Sequence, residues 1–191
     1  MNTEPIVQIC DAISGGFLDD AAAIARADLP FEAIERAKRK YTDTQSVSIF
    51  LRDGFIDRYS GQRLVFPGTL RLLSLLLPEE IPYQKNGKTT ECHMLFWLLF
   101  PTVDHVKPVA RGGLDIEANW VCTSMFRNAA KSVWTLEELG WQLQPPGPLG
   151  DWDGMLEWFM KYVSYEPSLL EEKYLKRWHR AAERALADIG P

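Results

Sequence analysis

The run VDHVKPVARGGLDIEANWVCTSMFRNAAKS, Val103 to Ser132, decides how this chain is read. It sets one histidine, several charges and two asparagines among valines and tryptophans, a mixture that suits neither a core segment nor a linker. TVDHVKPV has strand composition, ARGGLDIEA reads as a loop, NWVCTS regains strand character and MFRNAAKSVW is helical. Two strands and a helix in so short a run predict a compact ββα unit. The hairpin sets Asn119 at the start of the second strand. Asn128 and Lys131, three residues apart, share a helical face, and Ser124 stands near the helix start. This arrangement can gather Asp104, His105 and Asn128 around one small volume. One conflict is visible at once, because adjacent residues of an ideal strand point to opposite faces.

Working outward, DDAAAIARA (Asp19 to Ala27) and PFEAIERAKRKY (Pro30 to Tyr41) read as helices, the second with proline at its first turn. SVSIFLRDGFIDRYSGQRLVFPG has short β-like runs broken by Asp-Gly and Ser-Gly, which predicts strands and turns. Within it, YSGQRL is read as a turn packed by Tyr59, Leu64 and Phe66. TLRLLSLLLPEE and CHMLFWLLF read as short buried helices on either side of a polar Asn-Gly loop. Past the hairpin and helix, TLEELGW closes the region and QPPGPLG is the clearest linker. DWDGMLEWFMKYV and SLLEEKYLKRWHRAAERALADIG are amphipathic helices. In the latter Leu170, Tyr174, Trp178, Ala182 and Ala185 form a face that packs onto the core or a second subunit. No internal repeat is present.

With 191 residues and seven tryptophans, the chain suits a packed globular protein. Its longest apolar run, MLFWLLF, is far too short to span a bilayer, and MNTEPIVQIC has no secretory pattern. Three widely spaced cysteines, Cys10, Cys92 and Cys122, argue against a disulfide framework and for a reducing cytoplasm. The net charge of −5 does not advertise a nucleic-acid binder. Local patches matter more, and from Arg36 to Arg71 eight basic residues face three acidic ones. ERAKRKY is equally well read as a solvated helix face.

The order D-H-V-x-P, G-G, N-W and R-N-x-x-K resembles the HNH nuclease family over roughly Phe100 to Trp134. As in the HNH domain of RNA-guided DNA nucleases, asparagine stands where other members have a final histidine. The resemblance implies an α+β fold with a central ββα-metal (HNH) unit and N- and C-terminal helical extensions. The expected division is residues 1–50, a nuclease core over 51–144, and residues 151–191. It implies an endonuclease acting on DNA, RNA not being excluded, with no membrane, and with either a homodimer or two encounters where both strands are cut. His105 would be the base that activates water, suited by a histidine's reference pKa near ~6.5. Asp104 and Asn128 would hold one Mg²⁺ (or Mn²⁺), because an all-oxygen protein shell favours these ions over zinc. Asn119 would brace the loop and orient the histidine. Lys131, Arg127, Arg111 and Lys107 are phosphate-contact candidates. In the family the Asp-His conflict is resolved because the site lies where the strand ends and twists.

The chain departs from many HNH proteins in lacking paired zinc-binding cysteines, so apolar packing must hold the unit together. Cys92, His93 and Cys122 could form only a partial metal site, and core thiols are the default. His179 reads as a surface residue. Gly112 and Gly113 give the loop backbone freedom near phosphate. The alternative is a catalytically silent nucleic-acid-binding or assembly module on the same fold.

Overall fold

The computed structural model describes residues 2–31 and 41–189, so residues 32–40 of the expected Pro30–Tyr41 helix, with their basic run, lie outside the described residues. The chain divides into two compact units, Met1–Arg36 and Ala37–Pro191. In the first, α1 (Glu4–Ser14) and α2 (Leu18–Asp28) pack as a helical hairpin turned at Gly16, whose φ of 80° suits glycine. The sequence pattern had indicated α2 but not α1.

The second unit is mixed α+β, mostly helical, with one two-stranded antiparallel sheet among the described residues. It opens with α3 (Asp43–Arg52), where strands were expected. Two local features override the β-like composition of SVSIFLR. Thr42 and Gln45 form a reciprocal capping box at the helix start. Ser46, Val47, Ile49, Phe50 and Leu51 are buried at helical rather than alternating spacing. Of the expected strands only an isolated bridge, Ile56 to Arg63, remains. Then come α4 (Pro67–Leu76), the single turn α5 (Leu95–Leu98), β1 (Pro101–His105), β2 (Trp120–Ser124) and α6 (Met125–Lys131). The unit ends with α7 (Leu136–Leu139), α8 (Leu156–Tyr165) and α9 (Lys173–Ile189).

One core joins α3, β1, β2, α8 and α9. Phe50, Phe55, Phe66 and Phe159 are fully buried and meet ring to ring in tilted and edge-on contacts, each contributing about 1.5–3 kcal/mol of transfer free energy. Trp178, Ala182 and Ala185 of α9 enter this core, so the apolar face of that helix packs within its own chain. The C-terminal helices are therefore not an appendage, and a boundary at residue 50/51 would cut α3. QPPGPLG is no free linker either. Gly147 N donates to Asp53 O, and a Cβ on Gly54 would lie 2.1 Å from Gly147 O. Gly54 also has φ 65°, so backbone conformation and close approach both demand glycine there. Tyr59, Leu64 and Phe66 are buried in the turn as expected. His179 is half-buried, paired with Glu183 and set against the Phe159 ring, rather than simply exposed. No helix among the described residues is long and apolar enough to cross a membrane.

Candidate functional site

β1 and β2 pair from Pro101–Ser124 to His105–Trp120. A two-strand ribbon leaves a polar edge on each side, and buried edge groups need partners. Along β2 the segment Arg52 to Arg58 supplies them. Asp53 accepts from Cys122 N, Asp57 accepts from Ser124 N and Thr123 Oγ1, and Arg58 N donates to Cys122 O. Arg52 donates to Trp120 O, while Arg52 and Arg58 both pair with Asp53. Along β1, Tyr41 Oη and Asn128 Nδ2 donate to Val103 O, and Lys131 Nζ donates to His105 O. Asp53, Asp57 and Lys131 are wholly buried in this scheme.

Strand alternation sends His105 to the face that packs on α3, beside its cross-strand partner Trp120. The ring is 1% exposed. Its Nε2 lies 2.8 Å from Asp115 Oδ1, and the Trp120 indole N–H lies 3.0 Å from both atoms. Indole can only donate. With the proton on Nε2, both ring N–H groups point to the Asp115 carboxylate and His105 Nδ1 is left as a bare acceptor. The other tautomer would bury an unsatisfied N–H and turn a lone pair toward the carboxylate. Nδ1 has no hydrogen-bond partner among the described residues. The arrangement fixes the imidazole at Nε2 and leaves Nδ1 without a partner.

Asp104 points to the opposite side, toward α6. Its Oδ2 accepts from Tyr59 Oη at 2.7 Å and pairs with Lys131 Nζ at 2.9 Å. Burial, reinforced by the Asp104 charge, pushes the Tyr59 hydroxyl far above its ordinary value, so it stays a donor. Asn128, one helical turn from Lys131, donates through Nδ2 to Thr102 Oγ1 and Val103 O. Asp104, Asn128 and Lys131 thus share one side of β1, and none of these side-chain bonds involves the His105 ring. Strand alternation persists through His105, the last residue of β1.

For a divalent ion the donors and the charge pull apart. Asp104 Oδ1 and Asn128 Oδ1 take part in none of these bonds, and an all-oxygen pair suits Mg²⁺. Lys131 Nζ, however, already neutralises the carboxylate, so an ion joining Asp104 must push that ammonium away. The phosphate-contact reading of Lys131 is corrected too, since a fully buried lysine meets no external phosphate.

The loop between the strands is held by Asn119. Its Oδ1 accepts from Lys107 N, and its Nδ2 donates to Lys107 O and Leu114 O, each at 2.9 Å. Gly113 lies inside this clasp, where a Cβ would fall 2.0 Å from Lys107 O and 3.0 Å from Asn119 Nδ2. The side chain touches the loop and not the histidine, so any orientation of His105 by Asn119 acts through Asp115. Lys107 and Arg111 are exposed on the loop, Arg111 reaching Glu138 at 3.3 Å. Arg127 lies over the Trp141 ring at 5.1 Å.

Sequence reasoning passed over Asp115, Trp120, Tyr59 and the Asp53–Asp57 pair as functional groups. The signal for the last was present, two aspartates four residues apart, each beside an arginine. The thiols play no visible part. Burial pushes Cys122 well above its ordinary value, and His93 Nδ1 accepts from Leu95 N at the start of α5. Set against protein-family models, curated proteins and solved structures, the chain gives no match.

Proposed function

We propose that the hairpin and α6 form the centre of an HNH-type, metal-dependent endonuclease that hydrolyses phosphodiester bonds in DNA. The observation that carries this reading is the His105 imidazole, tied at Nε2 by Asp115 and bare at Nδ1. A neutral imidazole so oriented is a proton acceptor for the attacking water, and such a base is worth about 10²–10⁴ in rate. Asp115 fixes the tautomer and compensates the imidazolium once Nδ1 takes the proton. Asp104 and Asn128 would hold Mg²⁺ (or Mn²⁺) through their Oδ1 atoms, with Lys131 released from Asp104. When bound, the ion supplies charge stabilisation to the phosphoryl group and the departing 3′ oxygen. Asn119 keeps the loop at the length and shape that hold Asp115 against His105. His105 is buried with Nδ1 lacking a partner, and Lys107 and Arg111 stand exposed on the loop that carries Asp115. The free thiols support a cytoplasmic setting. RNA as target, and a homodimer for double-strand cleavage, belong to the same proposal.

The test is nicking of supercoiled plasmid with Mg²⁺ or Mn²⁺, with and without EDTA. Wild-type protein nicks, EDTA stops it, and His105→Ala loses at least a hundredfold. A wild-type protein inert with every divalent ion, and indistinguishable from His105→Ala, sinks the reading.

A second reading has its own support in the Lys131–Asp104 pair and the sealed histidine. It is a catalytically silent module that binds nucleic acid, with salt-sensitive affinity and no cleavage.

A further inference from the structure

α9 carries a surface that the hairpin chemistry does not use. Its inner side, with Leu175, Trp178, Ala182 and Ala185, is committed to the core. Its outer side carries Lys173, Lys176, Arg177, Arg180 and Arg184, all exposed. At ~100° per residue these five cations fall within an arc of about 100°, and at ~1.5 Å rise they run for about 16 Å. Glu183 lies outside the arc and pairs with His179. Only Arg177 of the five has an ion pair among the described residues, to Asp43 at 3.2 Å. In a chain of net charge −5, four uncompensated cations in one line are a local reversal of sign.

The stripe lines a groove of about 370 Å³ whose other wall is Thr42 to Thr44, the start of α3. That wall leads to the candidate site through one residue. Tyr41, next to Thr42, sets its ring 5.7 Å from the Trp120 ring, and the Trp120 indole N–H reaches the His105–Asp115 pair.

We propose that this groove is a track for the phosphodiester backbone of a nucleic acid, and that it delivers the strand to the His105 centre. The second half of the proposal rests on the nuclease reading; the first does not. The stripe is as long as roughly five base-pair steps of ~3.4 Å, and a line of cations matches a line of phosphates. A lipid surface is a poorer match, because an interfacial helix needs a free apolar face, and that of α9 is buried in the core.

The experiment measures binding of full-length protein in EDTA, so that no hydrolysis intervenes, by fluorescence anisotropy with duplex DNA and with RNA of the same sequence. It compares wild type with the triple variant Lys176→Ala, Arg180→Ala, Arg184→Ala, and with Lys161→Ala as a control for a cation elsewhere. Alanine suits exposed helix positions, and matched thermal melts verify the fold. The triple variant is expected to bind at least tenfold more weakly, and its slope of log K against log salt to fall by about 2.7, near 0.9 per cation on duplex. The nucleic acid bound more tightly assigns the track to DNA or to RNA. Unchanged affinity and slope overturn the proposal, as does a wild-type protein that binds neither. Anionic vesicles that bind wild type as tightly, with the same loss in the variant, overturn it in favour of a membrane surface. Plasmid nicking run in parallel separates the two readings. Binding without nicking keeps the track and removes the nuclease, whereas nicking with unaltered binding by the triple variant does the reverse.

Discussion

Asp104 and His105 are neighbours in sequence, yet β1 sends them into opposite electrostatic settings. On the α3 side, His105 has one nitrogen fixed by Asp115 and the other left without a partner. On the α6 side, Asp104 meets a tyrosine hydroxyl and a lysine ammonium within hydrogen-bond distance. One face therefore holds a bare acceptor, and the other holds a charge already answered. Strand alternation is what lets a single hairpin give two adjacent side chains such different surroundings.

The comparison breaks most sharply at Lys131. Lys131→Met keeps the volume but strands a buried carboxylate, and loss of one member of a buried pair costs about 3–5 kcal/mol. The expected melt is far below that of wild type, and millimolar Mn²⁺ should raise it more in the variant than in wild type. An unchanged melt would show the pair to be energetically idle. A melt that Mn²⁺ leaves untouched would remove Asp104 as an ion ligand.

The other face is probed by Asp115→Asn. As a positioning residue, Asp115 should affect turnover and not substrate binding. The expected loss is about 10–100-fold in kcat with KM unchanged, about 1.4–2.7 kcal/mol in barrier height. Imidazole ¹⁵N spectra should show the Nε2–H tautomer in wild type and a mixture in the variant. A pure KM effect, or an unchanged tautomer, would contradict the orienting role.

The smallest effect concerns alkaline stability. Burial raises the Tyr59 hydroxyl above its ordinary value of 10, and Asp104 adds to the rise. Burial likewise pushes Tyr174 up to about 12. A tyrosine raised in the folded state contributes stability that is fully present below pH 10 and is lost as pH climbs above it. Melting temperature should fall between pH 10 and 12, and less steeply for Tyr59→Phe. Identical slopes would show that Asp104 does not depend on that hydroxyl.

The hairpin and its helix were legible because their signals are local. Strand composition in TVDHV and NWVCT, two glycines between them and a helical run after Ser124 each stand within a few residues. α3 was misread because SVSIFLR is β-branched and aromatic, and its capping box competes through only two side chains, Thr42 and Gln45. The candidate site was legible in its residue types and less so in its contacts. Asn119 could be assigned to the loop only through the resemblance to the HNH family. Nothing in the order of residues shows that Lys131 turns inward to Asp104, or that Asp115 reaches back to His105. Those contacts depend on where α6 and the loop finally pack.

The side chains along the edges of β1 and β2 have a consequence for how this protein behaves in a crowd. A two-stranded ribbon is an open template, inviting another chain to lay down a further strand. Here Asp53, Asp57 and Arg58 stand in for that absent neighbour on one edge, and Tyr41, Asn128 and Lys131 on the other. Asp53→Ala would do more than weaken an ion pair, for it would uncover the amide of Cys122 on an unguarded edge. The same carboxylates that hold the hairpin together keep it from recruiting copies of itself.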